Sequence, residues 1–233
     1  MSTAAAASTN QLLQALSRKQ AQHLCACCYP VDLTCGTILC EPGVPIRNVY
    51  FPHDCAISLL TPVGDIWAEV GLVGSEGLVG ATLALGVPVS AVRMLVQRSG
   101  TALRMSAASF RRELKKSAPL KRQIDYHLYT RIVQMAQTAS CNRYHSVRSR
   151  LVLRLLLTQD RVHSNEFDLT QEFLARMLGI RRASVVHAAS TLRKEHLIRY
   201  SRGRITILDR KGLERASCVC FPAARDRSAN ALT

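Results

Sequence analysis

The sequence predicts an α+β fold in three parts: an antiparallel β-roll, one long helix, and a helix-turn-helix followed by a β-hairpin. Short apolar runs separated by Gly and Pro fill residues 37–110, which is typical of closely spaced strands. An uninterrupted helical pattern follows over 119–140, and residues 169–208 carry helix, turn, helix and hairpin signals in that order. The expected parts are a flexible tail over residues 1–10, the roll over 11–118, the long helix over 119–142 and the helix-turn-helix domain over 143–233.

Charge is distributed unevenly along the 233 residues, which carry a formal net charge of +15. Residues 1–110 hold six Lys or Arg and six Asp or Glu, whereas the rest of the chain holds 25 and 10. Clustered cations gain free energy on a polyanion by releasing its counterions. The two candidate polyanions are nucleic acid and an anionic membrane. The sequence favours nucleic acid, because it has no apolar run of about 18 residues and no lipidation signal.

The roll is predicted from apolar bursts such as 49–51, 56–60 and 68–70, with turns near Pro42, Pro62 and Gly74–Gly80. Before it, leucines at helical spacing predict one helix from Asn10 to about Leu24.

The long helix carries a stripe of apolar residues that recur every three or four positions. A stripe of this length beside a compact roll favours a coiled-coil-like seam between two copies of the chain. The alternative is a helix packed on its own roll. The residues predicted for the seam of a homodimer are Leu120, Ile124, Leu128, Ile132 and Met135.

The helix-turn-helix is predicted by Thr170 as an N-cap and by Gly179 at the end of the first helix, where a left-handed cap is needed. In the second helix, Val185 and Leu192 face inward and polar residues face outward, as in helices that read base edges. The alternative is an ordinary solvated charged face. The candidates for contact with double-stranded DNA are Thr170, Gln171, Arg181, Arg182, Ser184, His187, Arg202 and Arg204, the last two on a basic hairpin, or wing.

These motifs closely resemble the cyclic-AMP receptor protein/FNR (Crp/Fnr) family of bacterial transcription regulators, over nearly the whole chain. The most specific matches lie in residues 169–175, 177–185 and 202–209. The resemblance implies a cyclic-nucleotide-binding-type roll, a homodimer on a two-fold-symmetric DNA site, an effector and a contact with RNA polymerase. Two positions of the recognition helix depart from the family: Ala183 replaces a common Glu, and His187 replaces an Arg.

An effector pocket is expected in the roll, because the resemblance places a ribose-binding Glu in the glycine-rich turn at Gly74–Gly80. The family's phosphate-binding Arg falls on Val89 or Ser90, and the lost charge-assisted bond would cost about 1.5–3 kcal/mol. We therefore expect no tight binding of cyclic AMP, and the effector is unknown. The pocket candidates are Glu76, Gly77, Ser90 and Arg93.

Nine cysteines without an N-terminal signal segment indicate reduced thiols and a cytoplasmic protein. Two cofactor hypotheses arise from them, and the sequence favours a packing role over both, so no metal or cofactor is expected. The first is an iron–sulfur cluster like that of some family members, drawn from Cys25, Cys27, Cys28, Cys35, Cys40 and Cys55. The second is a zinc site or thiol switch using Cys141 and His145, four residues apart, and the pair Cys218 and Cys220.

A catalytic function is not expected, since the sequence has no Walker loop, nucleophile elbow, zincin helix or acid pair. The remaining alternative to a sequence-specific regulator is an adaptor whose basic half binds nucleic acid without sequence preference.

Overall fold

The computed structural model describes residues 10–64, 66–162 and 164–221. Residues 1–9 of the tail predicted over 1–10, and the last part of the predicted helix-turn-helix domain, 222–233, lie outside them. The described residues form two compact units: one comprises residues up to 61 with 71–132, and the other comprises 62–70 with 133–221. Among the described helices, none combines the length and apolarity required to cross a bilayer.

The first unit is a β-roll built of two sheets, which confirms the predicted fold class. The elements are α1 (Gln11–Gln14), α2 (Arg18–Ala26), β1 (Tyr29–Leu33), β2 (Ile38–Cys40), β3 (Asn48–Pro52), β4 (Ala56–Val63), β5 (Ile66–Val73), a 3₁₀ helix (Ala81–Leu85), β6 (Arg93–Arg98), β7 (Gly100–Ser106), α3 (Ala107–Lys116) and the first part of α4 (Ala118–Tyr144). The strand orders are β1-β7-β3 and β2-β6-β4-β5. Residues 62–70, at the end of β4 and the start of β5, group with the second unit.

The N-terminal region differs from the predicted tail and single helix. Asn10 is fully buried, and its side-chain amide donates to the carbonyls of Pro52 at 2.8 Å and Gly77 at 2.9 Å. The helix is broken in two because Ser17 begins a new one, with a capping box that it shares with Gln20. This capping box explains why one continuous helix was the wrong prediction.

Two elements of the roll were not predicted. Strand β1 contains Pro30, a residue that lowers strand propensity but is tolerated at a sheet edge, and it pairs through β7. Helix α3 begins at Ala107, within the region assigned to strands, because the Ser106 hydroxyl accepts from the Ser109 amide at 3.1 Å and caps it.

The seam predicted for α4 is corrected at its N-terminal end. Leu120 and Ile124 are 2% and 0% exposed and belong to the core of their own roll, with Leu128 packed against that core. They are therefore not available to a second chain. Further along, Ile132 and Met135 are 62% and 44% exposed. The first part of the apolar stripe thus packs on its own roll, as the alternative prediction stated. The later part is exposed.

The second unit is a helical core with a three-stranded sheet of order β8-β10-β9, matching the predicted winged helix-turn-helix with one additional strand, β8. Its core contains the inward leucines of α5 and the apolar faces of α6 and α7. Glu69, near the start of β5, forms an ion pair with Arg154. The elements after α4 are α5 (Val147–Val162), β8 (Glu166–Asp168), α6 (Gln171–Leu178), α7 (Arg182–Lys194), β9 (Ile198–Ser201), β10 (Arg204–Ile207) and α8 (Arg210–Ala216).

Candidate nucleic-acid interface

The turn between α6 and α7 has the geometry of a helix-turn-helix. The Thr170 hydroxyl accepts from the Phe173 amide at 3.1 Å and caps α6, as predicted. Gly179 ends α6 in the left-handed region at φ 62° and ψ 41°, which costs a glycine little. Arg181 is the N-cap residue of α7, with an extended backbone and no side-chain capping bond, and it is exposed.

Helix α7 has one buried face and one exposed face. Val185, Ala188, Ala189 and Leu192 are buried, as the sequence predicted. On the opposite face Arg182 and His187 are exposed, whereas Ser184 is less accessible and half-buried. The helix therefore presents a partly basic surface of the kind that enters the major groove.

The wing is a tight β-hairpin between β9 and β10. Its two-residue loop, Arg202 and Gly203, has φ values of 48° and 80°, which define a type I′ turn. Arg202 is exposed and has no acidic partner among the residues that the structure describes. Arg204 instead pairs with Asp168, whose carboxylate accepts from its Nε at 3.0 Å and raises the pKa of the guanidinium. Both predicted wing arginines are exposed, and they differ in that Arg204 has an acidic neighbour.

A groove of about 520 Å³ separates the wing from the start of α7, and four predicted DNA-binding residues line it: Thr170, Gln171, Arg182 and Arg202. The Arg182 guanidinium donates to the Gln171 side-chain oxygen at 3.4 Å, which orients it. Tyr200 forms part of the wall, and its hydroxyl donates to the Leu169 carbonyl at 3.0 Å. Burial raises the pKa of this tyrosine.

Several exposed residues of this surface were missed from sequence. Val186 is 39% exposed and lies one turn after Arg182, where its methyl groups suit contact with a thymine methyl. Ala183 and Arg193 on α7 and Arg199 on β9 are also exposed. Helical spacing from Arg182 was the available signal for Val186, which the sequence prediction assigned to neither face.

The four effector-pocket candidates in the roll all have contacts within the roll. The Glu76 carboxylate accepts from the Gly74 amide at 3.0 Å. The buried Ser90 hydroxyl donates to the Val92 carbonyl at 2.7 Å, and Arg93 donates to the Glu41 carboxylate at 2.8 Å. The side chains of Glu76, Ser90 and Arg93, which were candidates for binding an effector, are thus hydrogen-bonded within the roll.

The fourth candidate, Gly77, lies against a histidine that sequence reasoning missed. A Cβ built on Gly77 would be 2.2 Å from Cε1 of His127, so the ring occupies the space beside the glycine-rich turn. The pKa of His127 is lowered to about 4, chiefly by burial and next by the nearby Arg131, while Glu76 acts in the opposite direction. The sequence signal that could have identified His127 was its position on the buried stripe, three residues after Ile124.

All nine cysteines lie within the described residues, and none of them forms a disulfide. The six in the first unit are not gathered into one group; Cys27 lies beside His23 and Glu113, in the part of the chain that is described. Cys28 and Cys55 are buried, their thiols donate to backbone carbonyls, and burial raises their pKa to about 12. Such thiols behave as small hydrophobic side chains.

Comparison with known proteins agrees with this geometry. Residues 149–216 match the family described as the Crp-like helix-turn-helix domain. A sequence search among curated proteins gives no significant match.

Solved structures share the fold over most of the chain. A protein described as a transcriptional regulator of the Crp/Fnr family from Eubacterium rectale is 19% identical, with 88% of this chain and 96% of that chain covered and a TM-score of 0.68. The cyclic-di-GMP-responsive regulator CLP of Xanthomonas campestris is 17% identical, with 82% and 99% covered and a TM-score of 0.68. FixK2 of Bradyrhizobium japonicum is 12% identical, with 82% and 98% covered and a TM-score of 0.68.

The first two of these proteins are described as a transcriptional regulator and a global regulator. The resemblance seen in the sequence is thereby confirmed: residues 149–216 match the Crp-like helix-turn-helix domain, and the chain shares its fold with a solved structure described as a Crp/Fnr-family regulator.

Proposed function

We propose that this protein is a sequence-specific transcription regulator that binds a two-fold-symmetric operator as a homodimer. The observation that carries the proposal is the exposed face of α7, which bears Arg182, Val186 and His187. A groove lies between Arg182 and a wing tipped by Arg202. Arginine can donate two bonds to guanine, and a wing cation can contact the backbone. As a regulator of this type, it would act in the cytoplasm and contact RNA polymerase.

The homodimer is supported by the part of α4 that its own roll leaves uncovered. Tyr126, Tyr129 and Ile132 follow one another at intervals of three, are 36%, 62% and 62% exposed, and the two tyrosine rings lie 6.1 Å apart. Exposed apolar side chains in a row on a helix suit a helix–helix contact. The seam that we propose therefore uses these residues and Met135, rather than Leu120 and Ile124.

The effector that we propose for the roll is not cyclic AMP. Val89 is a neutral residue at one of the two positions that correspond to the family's phosphate-binding arginine, and Arg93 is engaged by Glu41. Titration calorimetry should show no binding of cyclic AMP at micromolar concentrations. Because one protein of similar fold responds to cyclic di-GMP, that dinucleotide belongs among the ligands tested.

The function is tested by in vitro selection of random duplex DNA at near-physiological salt. Enrichment of a palindrome with half-sites about one helical turn apart is the expected result, because a symmetric pair of recognition helices demands that spacing. Repeating the selection with cyclic di-GMP tests whether this ligand increases the enrichment of the palindrome. Uniform, salt-sensitive binding under every condition would support the adaptor alternative instead.

The dimer is tested separately by sedimentation of the wild type and of Ile132→Glu. The variant should be monomeric, since a buried charge at a seam is costly. The matched control is Arg122→Glu, an exposed position of the same helix.

A further inference from the structure

Four metal-ligating side chains from two distant parts of the sequence meet in the second unit. Cys141 and His145 are one helical turn apart at the end of α4, where the His145 amide donates to the Cys141 carbonyl at 3.1 Å. Cys218 and Cys220 follow α8. One ligand atom from each of the four residues lies within 4.8 Å of all the others, and Cys220 Sγ is 3.8 Å from His145 Nδ1.

The chemistry of this group is that of a structural zinc site. Three thiolates and one imidazole are a common tetrahedral ligand set for Zn²⁺, in which zinc–sulfur bonds of about 2.3 Å place two sulfurs about 3.8 Å apart. The observed separations need only small side-chain movements to reach that geometry. All three cysteines are buried, at 2% and 8% and 8% exposure, so the four residues close the site without an open position.

Burial raises the pKa of the Cys141 and Cys218 thiols, so their thiolates need the charge of a metal, and neighbouring polar groups are placed to add to that stabilisation. The Gln137 side-chain amide donates to Cys220 Sγ at 3.0 Å and to Cys141 Sγ at 3.8 Å. The Arg150 guanidinium interacts electrostatically with Cys141. A zinc ion with three thiolates carries a net charge of −1, and amide donors together with a neighbouring cation stabilise such a charge.

We propose that Cys141, His145, Cys218 and Cys220 bind one Zn²⁺ ion as a structural site. On binding, each of the three thiols releases its proton to solvent and forms a zinc–sulfur bond, while neutral His145 donates a ring-nitrogen lone pair. The ion joins the end of α4 to the segment that follows α8, within the unit that contains the helix-turn-helix. The site is independent of the proposed DNA-binding function.

The first test is metal binding by the purified full-length chain. Titration with Co²⁺ should give one equivalent with the visible absorption of tetrahedral cobalt–thiolate coordination, and Zn²⁺ should displace it. Cys141→Ser and Cys218→Ser should each weaken zinc binding by more than about 100-fold, since even an outer-shell partner contributes about 10–100-fold. Cys55→Ser is the matched control, because it removes a buried cysteine of the first unit and should keep one equivalent of metal.

A second measurement needs no variant and so does not depend on the variants' folding. Zn²⁺ should protect Cys141, Cys218 and Cys220 of the native wild type from alkylation, as mapped by mass spectrometry, and a chelator should restore their labelling. The proposal is overturned if labelling is the same with and without zinc. It is equally overturned if mild oxidation joins Cys141 to Cys218 or Cys220 in a chain that binds no zinc, which would identify a thiol switch.

Discussion

The two units use their polar side chains in opposite ways. In the β-roll, the groups that resemble an effector site bond inward: Glu76 to a backbone amide of its own turn, and Ser90 to the neighbouring backbone. In the winged unit, Arg181 and Arg202 extend outward, without an acidic partner among the described residues. Both sets lie in motifs that the sequence singles out, yet only the outward set is available to a large polyanion.

This contrast teaches that a motif's residues have to be judged by their present partners. Replacing a polar group that is hydrogen-bonded within the protein lowers stability, because its partner is left without a hydrogen bond. An exposed cation contributes little to stability and much to binding. Changes in the roll should therefore alter the free energy of unfolding, and changes on the winged face should alter DNA affinity.

The largest effect is expected on acidification, through His127 in the roll. Its pKa is about 4 in the folded chain against 6.5 in its ordinary state, so the unfolded chain binds a proton that the folded chain excludes. The associated stability is present above pH 6.5 and is lost as pH falls toward 4, by about 3 kcal/mol. Denaturant unfolding of wild type and His127→Gln at several pH values should show curves that converge on acidification. Parallel curves would contradict the inward role of this histidine.

The next effect concerns Gly77, whose missing side chain makes room for the same ring. Gly77→Ala would place its Cβ 2.2 Å from a buried imidazole that has little space to move, and such overpacking costs about 1–3 kcal/mol. Chemical unfolding should show this loss, while DNA affinity of the folded protein stays unchanged. In the double variant with His127→Ala the cost should largely vanish. An equal cost in both backgrounds would mean that the ring is not the cause.

On the winged face, Arg182→Ala should lower affinity for the selected operator by about 1–3 kcal/mol, or roughly 10–100-fold, and relax base preference at one position. Stability should change by less than about 0.5 kcal/mol, because Arg182 is exposed. Fluorescence anisotropy at fixed salt measures the change, with Lys211→Ala, exposed on α8, as the control. The same loss on operator and scrambled DNA would remove Arg182 from base reading.

The smallest effect is expected for Arg202→Asn at the tip of the wing. Asparagine accepts the left-handed conformation better than arginine, so the hairpin should be retained or slightly stabilised. All DNA sequences should be bound less well, by under about tenfold, and the salt dependence of binding should fall by about one charge. Titrations at three salt concentrations distinguish this outcome from an unchanged slope, which would place the wing away from phosphate.

The helix-turn-helix was predictable because each of its parts carries a local signal. Thr170 caps a helix, Gly179 permits a left-handed turn, and the buried side chains of α7 follow helical spacing. The packing partner of α4 could not be predicted from local signals. A stripe of apolar residues looks the same whether its own roll or a second chain covers it. Leu120 and Ile124 were for this reason assigned to the wrong partner.

The four-residue metal group shows a second limit of local reasoning. The spacing of Cys141 and His145 already places them on one helix face, and Cys218 and Cys220 are two residues apart. Their meeting depends on how α8 packs within the second unit, and contacts between residues so far apart are decided by the fold. His127 is a similar case, because only the packed roll reveals a histidine over Gly77.

Pro30 has a consequence for the solubility of the chain. It lies in β1, an outer strand of its sheet, between Tyr29, which is 68% exposed, and the half-buried Val31. An outer strand with such side chains invites a strand from another molecule, but proline offers no backbone N–H for the added ladder. Asp32, exposed two residues later, places a charge on the same strand. Pro30 and Asp32 therefore make the β1 edge of the roll a poor template for β-aggregation while chains accumulate during synthesis.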